Sequence, residues 1–185
     1  MKSLRIAIVG ATGLVGTTVL NILEEKNVPI ETLFPVASEK SIGKFIQFAG
    51  AKVGIISLQT ALSETPDVAI FSAGGKVSQE WAPKFSDAGV TVIDNSSAWR
   101  MNEEIKLVVP EVNGDCLTSR DTVIANPNCT TMQLVMVLKP LHDKFKILRG
   151  VVSTYQSVTG TGQLAVSQMM DERSGLIPSK MAYPH

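Results

Sequence analysis

Cysteine is scarce in this chain of 185 residues: only Cys116 and Cys129 occur. Two thiols do not make a disulfide framework, and a reducing compartment leaves both free. They lie thirteen residues apart with no histidine cluster nearby, which matches no zinc pattern, so no metal is expected. Histidine is equally rare, limited to His142 and His185. Neither sign of charge dominates: 17 Lys and Arg balance 17 Asp and Glu. A formal net charge of zero argues against nucleic acid as the main partner. No run of 18 apolar residues exists, so no membrane span is expected. Lys2 and Arg5 precede an apolar run that reaches Gly10 after four residues, too short for a signal-peptide core. That run reads as a first strand, and the expected location is cytoplasmic. No internal repeat or low-complexity segment interrupts the chain.

What is present is a core-forming composition, 44% hydrophobic, in a length that fits one large domain or one domain plus part of a second. "LRIAIVG" (4–10) is a continuous apolar run, as expected of a strand buried on both faces. Helical spacing follows through Leu14, Val15, Val19, Leu20, Ile22 and Leu23. Further strands are read at 31–38, 67–75, 90–97, 121–128 and 147–156, with a small hairpin within "IQFAGAKVGIIS". Helices are read in "QEWAPKFSDAG", in "TTMQLVMVLKPLHDKF" with a kink or restart at Pro140, and in "QLAVSQMMDERSG". This alternation implies right-handed crossovers and a mostly parallel, Rossmann-type α/β sheet. A composition shift near 126–147 suggests a change of domain, with a first domain at 1–127 and the start of a second, α+β domain at 128–185.

Ligands of such sheets sit at the carboxyl ends of the strands. "GATGLVG" sets Gly10, Gly13 and Gly16 between a strand and a helix. Gly10 permits the tight turn, Gly13 lets backbone N–H groups approach a pyrophosphate, and Gly16 lets helix pack on strand. The helix start adds partial positive charge. An ordinary strand–helix turn is the plain alternative. At the second strand end, "ASEKS" offers Ser38, Lys40 and Ser41 to a 2′-phosphate, which favours NADP. Glu39 is able to accept from a ribose hydroxyl instead, and an exposed, solvated loop is the plain reading.

Cys129 falls where a strand passes into a helix, whose first N–H groups lack internal partners. The positive helix end stabilises a thiolate there, and Thr130 and Thr131 help to cap it. A small hydrophobe inside the sheet is the competing reading. No histidine is placed to serve as its base. On an unbroken helix His142 stands ~20 Å away at ~1.5 Å per residue, and His185 is the last residue. Cys116, in "NGDCLTS", reads as structural.

Taken in order, "GATGLVG", "SAGG", "VIDNSSAWR", "LVVPEVN", "IANPNCTT" and "VVSTYQSVTGTG" resemble the aspartate-β-semialdehyde dehydrogenase family from residue 6 to about 162. "NPNC" and "STYQ" separate this family from related acyl-phosphate and phosphorylating reductases. The resemblance implies NADPH-dependent conversion of L-aspartyl-4-phosphate into L-aspartate-4-semialdehyde, a step toward lysine (through diaminopimelate), threonine, methionine and isoleucine. It implies that Cys129 is the nucleophile and Gln156 positions the substrate. Arg100 would bind phosphate and Asn128 would orient the acyl carbonyl or thiolate. Thr12, Gly13, Leu14 and Val15 match the cofactor loop, and Lys40 and Ser41 the 2′-phosphate pair. Gly74 and Gly75 would pass near adenine or ribose, and Thr159 and Gly160 would face the nicotinamide. A homodimer is implied for family members. Family chains are usually much longer, and their acid/base histidine, carboxylate-binding arginine and phosphate-binding lysine have no counterpart in this sequence. The expectation is therefore an N-terminal portion lacking full activity. A non-catalytic nucleotide-binding module and another acyl-phosphate reductase are the alternatives.

Overall fold

The computed structural model describes residues 3–183. Strand β1 (Leu4–Val9) leads through a glycine turn into helix α1 (Leu14–Glu25) and back to β2 (Ile30–Val36). A hairpin, β3 (Phe45–Phe48) and β4 (Ala51–Gly54), follows, then α2 (Leu58–Ser63), β5 (Val68–Phe71), α3 (Gly75–Asp87) and β6 (Thr91–Asp94). The remaining elements are β7 (Lys106–Leu107), α4 (Pro110–Asn113), β8 (Val123–Ala125), α5 (Cys129–Phe145) and α6 (Gln163–Arg173). Six strands form one sheet in the order β2-β1-β5-β6-β8-β7, and every pairing is parallel.

The apolar runs explain the layers. β1 buries Ile6, Ala7, Ile8 and Val9 because helices cover both faces of a parallel sheet. Its alternate residues feed two cores. Ala7 and Val9 join Phe34, Phe71, Phe85 and Val92 on one face. Ile6 and Ile8 join Leu20 and Leu33 on the other. Phe71 and Phe85 meet edge to face at 5.4 Å.

The chain divides into two compact units, Met1–Ile147 and Leu148–His185. Helix α5, read from the sequence as part of the second domain, thus belongs to the first unit. It leaves β8 with only a short polar connection. Of the kink or restart expected at Pro140, the restart does not occur: α5 runs continuously through it. The strand expected at 147–156 is not formed. No strand exists among the described residues of the second unit, so this segment has no ladder partner there. Its Leu148 and Val151 are correspondingly exposed. The short elements α2, β7 and α4 were not anticipated.

Beside the edge strand, Lys106 Nζ donates to Asp121 Oδ2 at 2.9 Å. Thr118 donates to the same oxygen through its N–H at 2.6 Å and its hydroxyl at 2.8 Å. The Lys106 bond first, then those from Thr118, hold the Asp121 carboxyl down from 3.8 to about 2. A lowered carboxyl stabilises the fold above its unfolded value and loses that effect as pH falls through the folded one. Wild type is therefore expected to melt above Asp121→Asn at pH values over 3.8, with the difference vanishing near pH 2. Thermal melts of both proteins across this range check the expectation.

Candidate active site

The first half of the site lies where the sheet reverses direction of growth, since β1 has β2 on one side and β5 on the other. Gly10 turns the chain with φ +93°, and a Cβ there would stand 2.6 Å from the Ser72 carbonyl oxygen. Gly16 presses α1 onto the turn, where a Cβ would come within 2.1 Å of the Gly10 carbonyl oxygen. Both glycines thus serve close backbone approach. The Gly10 and Ala11 amides donate to the Val36 carbonyl oxygen at 2.9 and 3.0 Å, locking the turn to β2.

Helix α1 begins without a side-chain cap, because Gly13 occupies the N-cap position. Its first turn, with Leu14 and Val15 half-exposed, therefore offers uncapped amides to an anion. Beside it opens a cavity of about 400 Å³ lined by Gly10, Thr12, Gly13, Ser38, Ser72 and Val77, among others. Glycines with no room for a Cβ, an uncapped helix start and a cleft at the strand ends fit a dinucleotide. Lys40 and Ser41 sit in the single 3-10 turn Glu39–Ser41 that follows Ser38. Gly74, with φ +90°, is the N-cap of α3, and Gly75 is its first residue.

The second half lies at the ends of β6 and β8, paired so that Asp94 faces Ala125. Beyond β8, Asn128 caps α5: its Oδ1 accepts from the Thr130 N–H at 2.9 Å and hydroxyl at 2.6 Å. Cys129 is the first residue of that helix and is exposed. Its Sγ stands 3.9 Å from Asn128 Oδ1. The thiol, donating weakly to that amide oxygen, is thus presented to solvent at the positive end of a helix, beside the side chain that fixes the local turn. Asn128→Ala is expected to cost about 1 kcal/mol through loss of the cap; chemical denaturation measures it.

Arg100, in the loop after β6, reaches to the short connection between β8 and α5 that leads to Cys129. Its Nε donates to the Asn126 carbonyl oxygen at 2.8 Å, and a terminal nitrogen donates to the Asn95 carbonyl oxygen at 3.0 Å. Asn126 Nδ2 donates to Asn95 Oδ1 at 2.5 Å, and the Asn126 amide to the Asp94 carbonyl oxygen at 2.8 Å. Two strand-end loops are thereby joined through Arg100. A guanidinium has five N–H donors, so donors remain for an anion. Asn95 and Asn126 were not singled out from the sequence; their place in the quoted "DNSSAWR" and "NPNC" stretches was the available signal.

In the second unit, Gln156 lies in an irregular exposed segment. Thr159 and Gly160 belong to the 3-10 turn Val158–Thr161. A Cβ on Gly160 would stand 2.7 Å from Gln156 Nε2, so the glutamine amide folds over this turn. Of the histidines, His142 is exposed on α5, and His185 is outside the described residues. Cys116 is half-buried in a one-turn segment. Among the described residues no group of three or more His, Cys, Asp or Glu is arranged to hold a metal. No described helix is long and apolar enough to cross a membrane.

Residues 5–119 match the family described as semialdehyde dehydrogenase, NAD binding domain. The chain is 48% identical over 189 residues to an aspartate-semialdehyde dehydrogenase of Aquifex aeolicus, covering 98% of this chain and 56% of that protein. The corresponding Legionella pneumophila protein is 44% identical over 185 residues, with 98% and 53% covered. The solved structure of aspartate semialdehyde dehydrogenase II from Vibrio cholerae complexed with ASA superposes with a TM-score of 0.91 at 39% identity. That match covers 100% of this chain and 57% of the other. An aspartate semialdehyde dehydrogenase with NADP from Candida albicans gives a TM-score of 0.65 at 25% identity, covering 77% and 48%. The chain spans about half the length of the curated relatives it matches.

Proposed function

The chain belongs to the semialdehyde dehydrogenase family through its NAD-binding domain, and from that premise we propose that it serves the reductive dephosphorylation of L-aspartyl-4-phosphate to L-aspartate-4-semialdehyde. The observation that carries this reading is the exposed Cys129 thiol at the start of α5, with Arg100 tied to the same strand-end loop. The identity to aspartate-semialdehyde dehydrogenases over nearly the whole chain supports the choice of substrate.

In this mechanism Arg100 receives the phosphate group of the substrate, its planar fork matching the anion. The Cys129 thiolate attacks the acyl carbon, the carbon–oxygen bond to phosphate breaks, and a thioester remains on the sulfur. Asn128 keeps the sulfur and the acyl carbonyl in register. A nicotinamide cofactor held by the chain would supply the hydride for the thioester carbon. Gln156 holds the substrate in line, and collapse of the sulfur–carbon bond restores the thiolate and frees the aldehyde. Gly10, Thr12, Gly13, Leu14 and Val15 would hold the pyrophosphate, while Gly74 and Gly75 would pass near the adenosine. Thr159 and Gly160 would serve the nicotinamide side of the cofactor, the role that the family resemblance gives them. Ser38, Lys40 and Ser41 favour NADP by meeting a 2′-phosphate. No metal takes part. The working form is a cytoplasmic homodimer of the complete polypeptide, in lysine, threonine, methionine and isoleucine synthesis.

Phosphate-dependent reduction of NADP by L-aspartate-4-semialdehyde tests the reading. The complete polypeptide is expected to turn over only with phosphate or arsenate present. Activity with a different acyl phosphate and none with this pair would reject the substrate. Since the chain spans 56% of a relative's length, a second reading is that these 185 residues bind nucleotide without turnover; the same assay on this chain separates the two.

A further inference from the structure

We infer that Trp99 and Ser78 form a positioning pair that sets the reach of Arg100, an inference that deepens the site above and rests on its reading of Arg100 as the phosphate receptor. Trp99 directly precedes Arg100. Its ring packs against the core cluster containing Phe71 and Phe85. Its Nε1–H donates to Ser78 Oγ at 2.8 Å. Ser78 is only 1% exposed and follows Val77, which lines the nucleotide cavity. The bond therefore ties the helix that borders the cavity to the loop that carries Arg100.

The rest of the loop is held from its base. The buried Asp94 carboxylate accepts the Ser96 hydroxyl at 2.6 Å, and Ser96 Oγ accepts the Ala98 amide at 3.1 Å. The Asn102 amide closes the far side on the Trp99 carbonyl oxygen at 3.0 Å. Within this frame Trp99 is the side chain that fixes the backbone from which Arg100 departs. A long, flexible arginine keeps two bonds to carbonyl oxygens only if its Cα is held still. Burial of the ring alone would need no donor; the indole N–H meeting a buried hydroxyl adds direction to the packing.

Hydrogen exchange in the free 185-residue chain, followed by NMR, tests the pair without any ligand. In wild type, Trp99 Nε1–H and Arg100 Nε–H are expected to exchange more slowly than the indole N–H of Trp81. Trp99→Phe keeps the ring and removes the donor, whereas Ser78→Ala removes the acceptor. Each is expected to speed Arg100 Nε–H exchange by about tenfold, and the double variant no further, with β1 amides unchanged. Unchanged Arg100 exchange in both variants overturns the inference. Should neither variant fold, wild type decides alone: Trp99 N–H exchanging as fast as that of Trp81 overturns it, and slower exchange at both Trp99 and Arg100 supports it. Titration with inorganic phosphate is the separate arm. An Arg100 Nε–H that ignores phosphate in wild type rejects the phosphate role while leaving the positioning pair standing.

Discussion

Replacing Cys129 by serine is expected to lower turnover of the complete polypeptide by about 10⁴-fold or more, with nucleotide binding intact. The reason is chemical. A serine hydroxyl is almost entirely protonated at neutral pH and gives an ester, a poorer hydride acceptor than a thioester. The reason for intact binding is structural. Cys129 is exposed at the first position of α5, and the Asn128 cap is held by the Thr130 N–H and hydroxyl besides the weak donation from the sulfur, which a serine hydroxyl can replace. Serine fits there without disturbing the helix. Steady-state rates and nucleotide titration of the two proteins measure both halves. The same substitution at Cys116 is expected to leave the rate within about twofold, since surface and half-buried changes away from a site are usually mild.

Gly10→Ala is expected to destabilise the first unit by about 2–5 kcal/mol and abolish nucleotide binding. Two independent costs combine. A non-glycine residue at φ +93° costs about 1–2 kcal/mol. A Cβ 2.6 Å from the Ser72 carbonyl oxygen and 2.8 Å from its carbon must move backbone, and overpacking of that kind costs about 1–3 kcal/mol. The displaced backbone is that of the β5 turn, whose Ser72 and Ala73 line the cavity. Folding and binding therefore fail together. Urea unfolding gives the first effect and nucleotide titration the second. By contrast, Gly74→Ala meets nothing within 4 Å, so its positive φ alone sets a smaller cost.

Local constraints were the legible part of this sequence. The glycines of "GATGLVG" reveal their turn because the need for a missing Cβ is written in three positions and one flanking strand. Cys129 at a helix start was equally readable, since a polar cap followed by an apolar run marks the boundary. Distant partners were not readable. Arg100 meets Asn126 and Trp99 meets Ser78 from separate loops and helices far apart in the chain, and no spacing rule announces such pairs. Apolar β-rich composition also misled at 147–156, because a strand exists only where another strand satisfies its backbone. The two-residue β7 and four-residue α4 are too short for any periodicity to show.

In the proposed mechanism the acyl group is carried by Cys129. The most direct test of this step omits phosphate: the complete polypeptide is mixed with L-aspartate-4-semialdehyde and NADP, then digested and weighed by mass spectrometry. Hydride loss from the thiohemiacetal leaves a thioester with no phosphate to accept the acyl group. An aspartyl adduct is expected on the peptide containing Cys129, with a matching burst of NADPH and no adduct on the peptide containing Cys116. Phosphate-dependent turnover with the Cys129 peptide unmodified, or with Cys129→Ser as active as wild type, would contradict that mechanism.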